Sequence, residues 1–176
     1  CVEVRAQQGW VTVLDAGTGV RALGETIGDD IARVDLLLSD LHMDHIQGLG
    51  FFAPLFKEGL DVHIWGPSST TLGMRDRLAR YLSPPLFPVR LRDLPCKLTL
   101  HSAPLGRFEI GELTVNADLI CHPGPTLGYR IGQNGHSLTY MSDHEPALGF
   151  GNFKPERDWT SGYALADGAD VLIHDA

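Results

Sequence analysis

Apolar residues in the first part of the chain occur in short runs that are separated by stretches with helical spacing. Residues 10–15, 34–38 and 61–65 are rich in branched apolar side chains and predict strands. Residues 21–32 and 69–82 carry apolar side chains three and four positions apart and predict helices. Strands that alternate with helices in this way are typical of an α/β fold.

The later part of the chain is richer in strands. Apolar runs or alternation predict strands at residues 97–102, 113–117, 126–131 and 137–141. Before the last of these, Asn134-Gly135 is a dipeptide favoured in two-residue hairpin turns. Helices interleaved with two sets of strands predict a layered α/β sandwich. With 176 residues, 43% of them hydrophobic, the chain can bury one substantial core, so a single domain is expected.

A dense group of potential metal ligands follows the predicted strand at residues 34–38. Four such residues lie within a six-residue segment: Asp40, His42, Asp44 and His45. In an extended segment alternate side chains share a side, so Asp40 and His42 can face one ion. The next two ligands can reach a second ion. Imidazole combined with carboxylate suits zinc, iron or manganese, whereas calcium would call for oxygen ligands alone. An Asp-capped strand-to-helix turn is the alternative, but capping explains neither the two histidines nor the second aspartate.

The order of these ligands resembles the signature of a known family. The metallo-β-lactamase superfamily of metallohydrolases has His-x-His-x-Asp-His after a buried strand, and this chain has Asp40-x-His42-x-Asp44-His45. An aspartate therefore stands where the signature has its first histidine. The likeness is closest to the phosphodiesterase-like branch that includes ribonuclease Z. Three further segments are similar to parts of the family. Residues 14–19 resemble its early strand and glycine turn, residues 120–130 the segment with its third histidine, and residues 140–145 the segment with its bridging aspartate.

The resemblance implies a fold and a centre with two metal ions. The fold would be a four-layered αββα sandwich of the metallo-β-lactamase type, formed by residues 1–176 as one domain. The ligands implied for the first metal are Asp40, His42 and His122. Those implied for the second are Asp44 and His45, and Asp143 would lie between the two metals. We expect zinc, and because Asp40 is a harder oxygen ligand, manganese or iron are alternatives.

In comparison with this family the chain looks truncated at both ends, with its C-terminal portion missing. The family's seventh ligand is a histidine well beyond the bridging aspartate, and the one histidine found there is His174, at the end of the chain. We therefore expect His174 to support the site rather than to bind a metal. Asp15 ends a predicted strand before a glycine turn and is expected to brace a metal-binding histidine.

The ligands and the resemblance together predict a metal-dependent hydrolase. Metal binding lowers the pKa of a bound water from ~16 to about 7, which provides a hydroxide nucleophile, and Asp44 can orient that water or take its proton. The resemblance implies a phosphodiester substrate such as a cyclic nucleotide or an RNA end. Thioester, lactone or lactam hydrolysis on the same fold is an alternative. A non-catalytic metal- or ligand-binding module with a degenerate site is another, favoured by Asp40 and by the lack of a seventh ligand.

Charge and composition limit the classes of substrate and binding partner that are expected for this predicted hydrolase. A net charge of −8 disfavours binding to long nucleic acid, because phosphate affinity comes mostly from Lys and Arg. Three carboxylates against two divalent ions leave about +1 at the site, where the unmodified signature would leave about +2. A small anionic substrate is expected, attracted less strongly than by the unmodified site. The apolar runs are too short to span a membrane. Three cysteines form no even disulfide framework, so a reducing, cytoplasmic location is expected, and a homodimer is an open option.

The remaining histidines are not predicted to bind metal. His63 alternates within a predicted strand and His101 lies near the end of another, so both are expected to be packed or hydrogen-bonded. His136 is beside the Asn-Gly turn and is expected to be exposed to solvent.

Overall fold

A computed structural model describes residues 1–146 and 156–175, which form two compact units, Cys1–Ser102 and Ala103–Ala176. The first unit is built on a five-stranded sheet with the order β1-β2-β3-β4-β5. Its strands are β1 (Val2–Val4), β2 (Trp10–Leu14), β3 (Arg33–Leu37), β4 (Asp61–Gly66) and β5 (Lys97–Ser102). β1 is antiparallel to β2, and the other pairs are parallel. The parallel pairs need crossover connections, which explains why helical segments follow most of the strands.

Helices of the first unit cover one face of this sheet. They are α1 (Val20–Thr26), α2 (Met43–Ile46) and α3 (Met74–Ala79), together with 3₁₀ segments at Leu49–Phe51, Ala53–Phe56 and Leu91–Asp93. Alternate residues of the central strands, such as Val34 and Leu36, are fully buried and pack in one core with Val20, Phe52 and Leu78. Strand periodicity therefore directs the apolar residues to the side on which the helices lie.

Both predicted helices of the first unit are shorter than expected. α1 ends at Thr26, Ile27 is extended at ψ 105°, and the Gly28-Asp29-Asp30 sequence that follows is unfavourable for helix continuation. Before α3, Ser69 Oγ accepts the backbone N–H groups of Thr71 and Leu72 at 3.3 and 3.5 Å. This local side-chain bonding gives the backbone an alternative to the helix, which then begins only after Gly73.

The other face of the first sheet carries a cluster of aromatic and charged side chains. His63 Nδ1 lies 2.8 Å from His101 Nε2, and the His101 ring stacks on Trp65 with centroids 3.8 Å apart. Asp61 Oδ1 lies 3.1 Å from His63 Nε2, and Trp65 Nε1 donates to Asp35 Oδ1 at 2.9 Å. The two histidines are therefore packed and hydrogen-bonded, as predicted.

The paired histidines should make the protein less stable in mild acid. Burial lowers the pKa of His101, and the neighbouring His63 lowers it further. A histidine whose pKa is depressed by folding binds fewer protons in the folded state, so its stabilising effect is full above the unfolded pKa of about 6.5 and is lost as pH falls. We expect the wild type to lose more unfolding free energy than His101→Gln between about pH 7.5 and about pH 5.5. Urea unfolding at several pH values measures this loss, with His136→Gln as the control for an exposed histidine. Equal losses in wild type and His101→Gln would contradict the prediction.

The second unit is also built on a five-stranded sheet, with the order β10-β9-β8-β7-β6. Its strands are β6 (Gly106–Ile110), β7 (Leu113–Leu119), β8 (Leu127–Gln133), β9 (His136–Met141) and β10 (Val171–His174). β6 to β9 form an antiparallel meander, and β10 is parallel to β9. The predicted hairpin turn joins β8 to β9, with Asn134 at φ 53° and Gly135 at φ 83°. Two left-handed residues are what a type I′ hairpin requires.

A short helix completes the described part of the second unit. α4 (Tyr163–Ala166) follows a 3₁₀ segment at Arg157–Trp159. Leu165 is buried on this helix and packs with Ile120 and Met141. His136 is exposed, as predicted. Among residues 1–146 and 156–175, none of the helices has the length and hydropathy that a membrane span needs.

Candidate metal centre

The four predicted ligands of the first unit lie together where β3 ends. The chain leaves β3 after Leu37, and α2 begins at Met43 with His42 extended before it. His42 donates its backbone N–H to Asp40 Oδ1 at 3.0 Å, and its Nδ1 lies 2.5 Å from Asp40 Oδ2. Asp40 is only 2% exposed, and a buried carboxylate of this kind requires a cation or strong donors close by. Asp40 and His42 therefore share one side of the loop, as the alternation predicts.

His45 is held so that one ring nitrogen is available for a metal. Its Nδ1 lies 2.9 Å from Asp15 Oδ2 and 3.1 Å from Ser39 Oγ, all three side chains being buried. Its Nε2 lies 3.4 Å from Asp44 Oδ2 and 3.9 Å from Asp40 Oδ1. A carboxylate on one imidazole nitrogen fixes the tautomer that presents the other nitrogen to a metal. The geometry is thus the one expected if Asp15 braces a metal-binding histidine.

Asp15 organises the loop from the end of the neighbouring strand β2. Its carboxylate accepts the backbone N–H of Ser39 at 2.7 Å and the Ser39 hydroxyl at 2.8 Å. Its own backbone is left-handed, at φ 58°, which aspartate tolerates better than most residues. The sequence prediction did not identify Ser39 as part of the site. The sequence did offer one signal for Ser39, since a polar residue directly after a buried apolar strand needs a hydrogen-bond partner when it is buried.

Close backbone contact between the β2–α1 turn and α2 depends on glycine. A Cβ added to Gly48 would lie 2.2 Å from the Gly17 carbonyl oxygen, and one added to Gly17 would lie 2.5 Å from the Asp44 carbonyl oxygen. The backbone N–H of Ala16 also donates to the His45 carbonyl at 2.8 Å. The two glycines therefore allow Asp15 to come within hydrogen-bond distance of His45.

The second unit holds the other two predicted ligands, each in a loop at the end of a strand. His122 lies between β7 and β8, and its Nε2 is 3.8 Å from Asp143 Oδ2, two residues after β9. His122 Nδ1 lies 3.7 Å from Glu145 Oε1, so a carboxylate lies near each ring nitrogen. A cavity of about 180 Å³ opens here, lined by His122, Asp143, His144, Glu145 and Asp175.

His174 contacts His144, one of the residues that line this cavity. His144 Nδ1 lies 2.8 Å from His174 Nε2, with the two rings nearly perpendicular at 88°. Burial lowers the pKa of His144, and the neighbouring His174 lowers it further. His144 follows Asp143 directly in sequence, so the contact links His174 to a predicted ligand only indirectly.

The donor atoms within each unit fit a divalent transition metal. Two ligands at about 2.0–2.1 Å from one tetrahedral ion lie about 3.4 Å apart. The separation of His45 Nε2 from Asp44 Oδ2 is 3.4 Å, and that of His122 Nε2 from Asp143 Oδ2 is 3.8 Å. The mixture of imidazole and carboxylate suits zinc, manganese or iron. The six predicted ligands fall into two groups, four in the first unit and two in the second.

Comparison with known proteins identifies the family. Residues 11–176 match the family described as "Beta-lactamase superfamily domain". The chain belongs to the metallo-β-lactamase superfamily. The predicted family and fold class are confirmed, since two multi-stranded sheets with helices match the metallo-β-lactamase fold.

Among the relatives is a ribonuclease Z from Thermosynechococcus vestitus, 30% identical over 138 residues, which are 72% of this chain and 32% of that protein. The chain thus spans about a third of the length of this curated relative. Human tRNase Z, short form, has a similar structure, with a TM-score of 0.63 and 20% identity over 99% of this chain and 70% of that one. Zn²⁺-bound PqqB from Methylobacterium extorquens has a TM-score of 0.61 and 17% identity over 99% of this chain and 58% of that one. At these identities the two structures show a shared fold.

Proposed function

We propose that this metallo-β-lactamase domain is a metal-dependent hydrolase that acts on phosphodiesters, such as a cyclic nucleotide or an RNA end. The observation that carries the proposal is the arrangement of His45, whose Nδ1 is held by buried Asp15 while its Nε2 faces two carboxylates. A histidine held in this way is typical of metal centres. The phosphodiester class is supported by the ribonuclease Z and tRNase Z names among the relatives.

The proposed centre takes its ligands from both groups. Asp40, His42 and His122 would hold the first metal, Asp44 and His45 the second, and Asp143 would bridge them. Support comes from family membership, from the match to the family signature and from the donor chemistry within each group. Zinc is the proposed metal, with manganese or iron as alternatives. When bound, such ions supply a water of lowered pKa and polarise the electrophile.

The proposed roles of the protein residues follow from their positions. The Asp44 side chain is 68% exposed beside the His45 ring, where it can orient an attacking water and accept its proton. Asp15 keeps the His45 ring in one tautomer. His174, which contacts His144, is proposed to support the site rather than to bind a metal. A small anionic substrate is proposed rather than a long nucleic acid, because the chain carries a net charge of −8.

A second candidate function is a non-catalytic module that binds metal or a ligand. The observation that favours it is Asp40, which replaces the first histidine of the signature with a buried carboxylate. Hydrolysis of a thioester, lactone or lactam is the alternative within the enzyme class, because loops rather than the fold select the substrate.

Elemental analysis of the purified protein, combined with a hydrolysis assay, tests these candidates. Hydrolysis of bis-p-nitrophenyl phosphate is measured with zinc, manganese and iron supplied in turn. We expect about two metal ions per chain and turnover that a chelator abolishes. Metal binding with turnover of a thioester or lactone, but not of the phosphodiester, would contradict the phosphodiester proposal and favour the alternative substrate class. Metal binding without any turnover would favour the binding module, and a chain that binds no metal would refute the proposal.

Replacing Asp40 with histidine is expected to increase zinc retention. Nitrogen ligands favour zinc more than a hard carboxylate oxygen does, and the Asp40 side chain lies beside those of His42 and His45. We expect zinc affinity to rise, with a shift in selectivity away from manganese. Chelator competition with both metals measures the change, and Asp118→His on the exposed part of β7 is the matched control. Unchanged affinity and selectivity in Asp40→His would argue against Asp40 as a ligand.

A further inference from the structure

The loop that carries His122 is fixed by hydrogen bonds to the residue before it. The backbone N–H of Cys121 donates to Ser161 Oγ at 2.7 Å. The Cys121 carbonyl accepts the backbone N–H of Glu145 at 2.9 Å. Both backbone polar groups of Cys121 are therefore engaged by residues distant in sequence, which restricts the position from which the His122 side chain extends.

The residue after Ser161 packs against the other ligand loop of the second unit. Gly162 is left-handed at φ 73°, and a Cβ at this position would lie 2.6 Å from Met141 Sδ. It would also lie 3.3 Å from Cε1 and Nε2 of His144. Met141 ends β9, and Asp143 lies between it and His144. Ser161 and Gly162 thus contact the loops of both predicted ligands in this unit, and we refer to the two residues as the brace.

The brace is itself tied to the sheet. α4 begins directly after Gly162, and the Leu165 carbonyl accepts the buried hydroxyl of Thr139 at 2.7 Å. Beyond the helix, Arg130 of β8 donates to the carbonyls of Asp167 and Gly168 at 2.6 and 2.8 Å. These bonds join the C-terminal end of α4 and the residues that follow it to β8 and β9. The short helix that begins directly after the brace is therefore anchored to the sheet, which limits the movement of Ser161 beside the His122 loop.

We propose that Ser161 is a positioning residue for the metal centre, which sets the placement of His122 through the Cys121 backbone. With Gly162 it fixes the spacing between His122 and Asp143. The inference rests on the proposed function in that these two residues bind metal. Residues that orient metal ligands change metal affinity by about 10–100-fold when they are replaced, although they do not touch the metal.

The test compares three variants in one short segment. Ser161→Ala removes the acceptor of the Cys121 N–H, and Ser161→Thr keeps a hydroxyl. Thr160→Ala removes a neighbouring hydroxyl that donates to the Glu156 carbonyl at 3.1 Å. Zinc affinity is measured by chelator competition, site geometry by the visible spectrum of the cobalt-substituted protein, and fold by thermal unfolding without metal. We expect Ser161→Ala to lower zinc affinity about 10–100-fold and to alter the cobalt spectrum. Ser161→Thr and Thr160→Ala should remain near the wild type.

A glycine pair provides a second test if Ser161→Ala fails to fold. Gly162 and Gly168 are both left-handed, at φ 73° and 69°, so replacement by alanine strains both backbones similarly. A Cβ at Gly168 would meet only Arg130 Nη2, at 4.0 Å. We expect Gly162→Ala, but not Gly168→Ala, to weaken zinc binding.

The outcomes separate this inference from the proposed function. If the wild type binds metal and Ser161→Ala binds it equally well with the same cobalt spectrum, the inference is overturned and the proposed function stands. A loss of metal-free stability with unchanged metal affinity would also overturn it, since the role would then be structural only. If the wild type binds no metal, the proposed function fails and the inference fails with it.

Discussion

Replacing His45 with alanine is expected to reduce metal-dependent hydrolysis by at least about a thousandfold. The Nε2 atom of His45 is the nitrogen directed towards Asp44 and Asp40, so replacement by alanine removes a proposed nitrogen ligand at that point. A catalytic metal contributes several kcal/mol of transition-state stabilisation, and about 4 kcal/mol corresponds to a thousandfold in rate. Turnover of bis-p-nitrophenyl phosphate and bound metal per chain are the measurements.

The matched control for His45→Ala is His136→Ala. His136 is an exposed histidine at the hairpin turn, so this variant loses the same side chain without loss of a proposed ligand. Thermal unfolding of the metal-free variants shows whether His45→Ala still folds. A folded His45→Ala variant with turnover and metal content like those of His136→Ala would contradict the assignment of His45 as a ligand.

The strands could be predicted from the sequence because their burial alternates or is continuous over several residues. β5 occupies residues Lys97–Ser102, as expected, and β4 extends one residue beyond its predicted end. β6, at Gly106–Ile110, was not predicted. It is an edge strand in which Phe108 is only partly buried between the exposed Arg107 and Glu109, so its apolar pattern is too weak to be recognised.

The helix ends could not be predicted because local hydrogen bonding competes with helical periodicity. Ser69 binds the backbone of the residues that follow it, and the apolar spacing across residues 69–82 gives no sign of that competition. Likewise, Ile27 has the spacing of a helical residue but is extended before a glycine. Periodicity reports which side chains are buried and is less informative about where the helix stops.

Some residues of the candidate site could be predicted because they are neighbours in sequence. Others contact the site only because the fold brings distant residues together. Asp40, His42, Asp44 and His45 are neighbours in sequence, so the order of residues was sufficient to group them. The Asp15 contact with His45 spans 30 positions, but a carboxylate at a strand end before a glycine turn made it predictable. Ser161 contacts Cys121 from 40 positions away, and a serine in a loop carries no signal of its own.

Replacing Asp15 with alanine is expected to weaken both the fold and the metal site. The substitution leaves the buried Ser39 N–H without its acceptor, which costs about 1–3 kcal/mol, and it leaves His45 Nδ1 without its carboxylate. Alanine also tolerates the left-handed backbone at φ 58° less well than aspartate, at a further cost of about 1 kcal/mol. We expect the free energy of unfolding to fall by about 3 kcal/mol, measured by urea titration without metal.

Asp15→Asn separates the metal effect from the effect on stability. Asparagine tolerates the left-handed backbone and keeps one oxygen that can accept the Ser39 N–H, so most of the stability should remain. Its amide NH₂ cannot accept a hydrogen bond from His45 Nδ1–H, so the ring loses the partner that fixes its tautomer. Metal affinity should therefore fall about 10–100-fold in Asp15→Asn while the urea midpoint stays close to that of the wild type. If metal affinity instead fell only in proportion to the loss of unfolding free energy in both variants, Asp15 would stabilise the fold without a separate effect on the metal site.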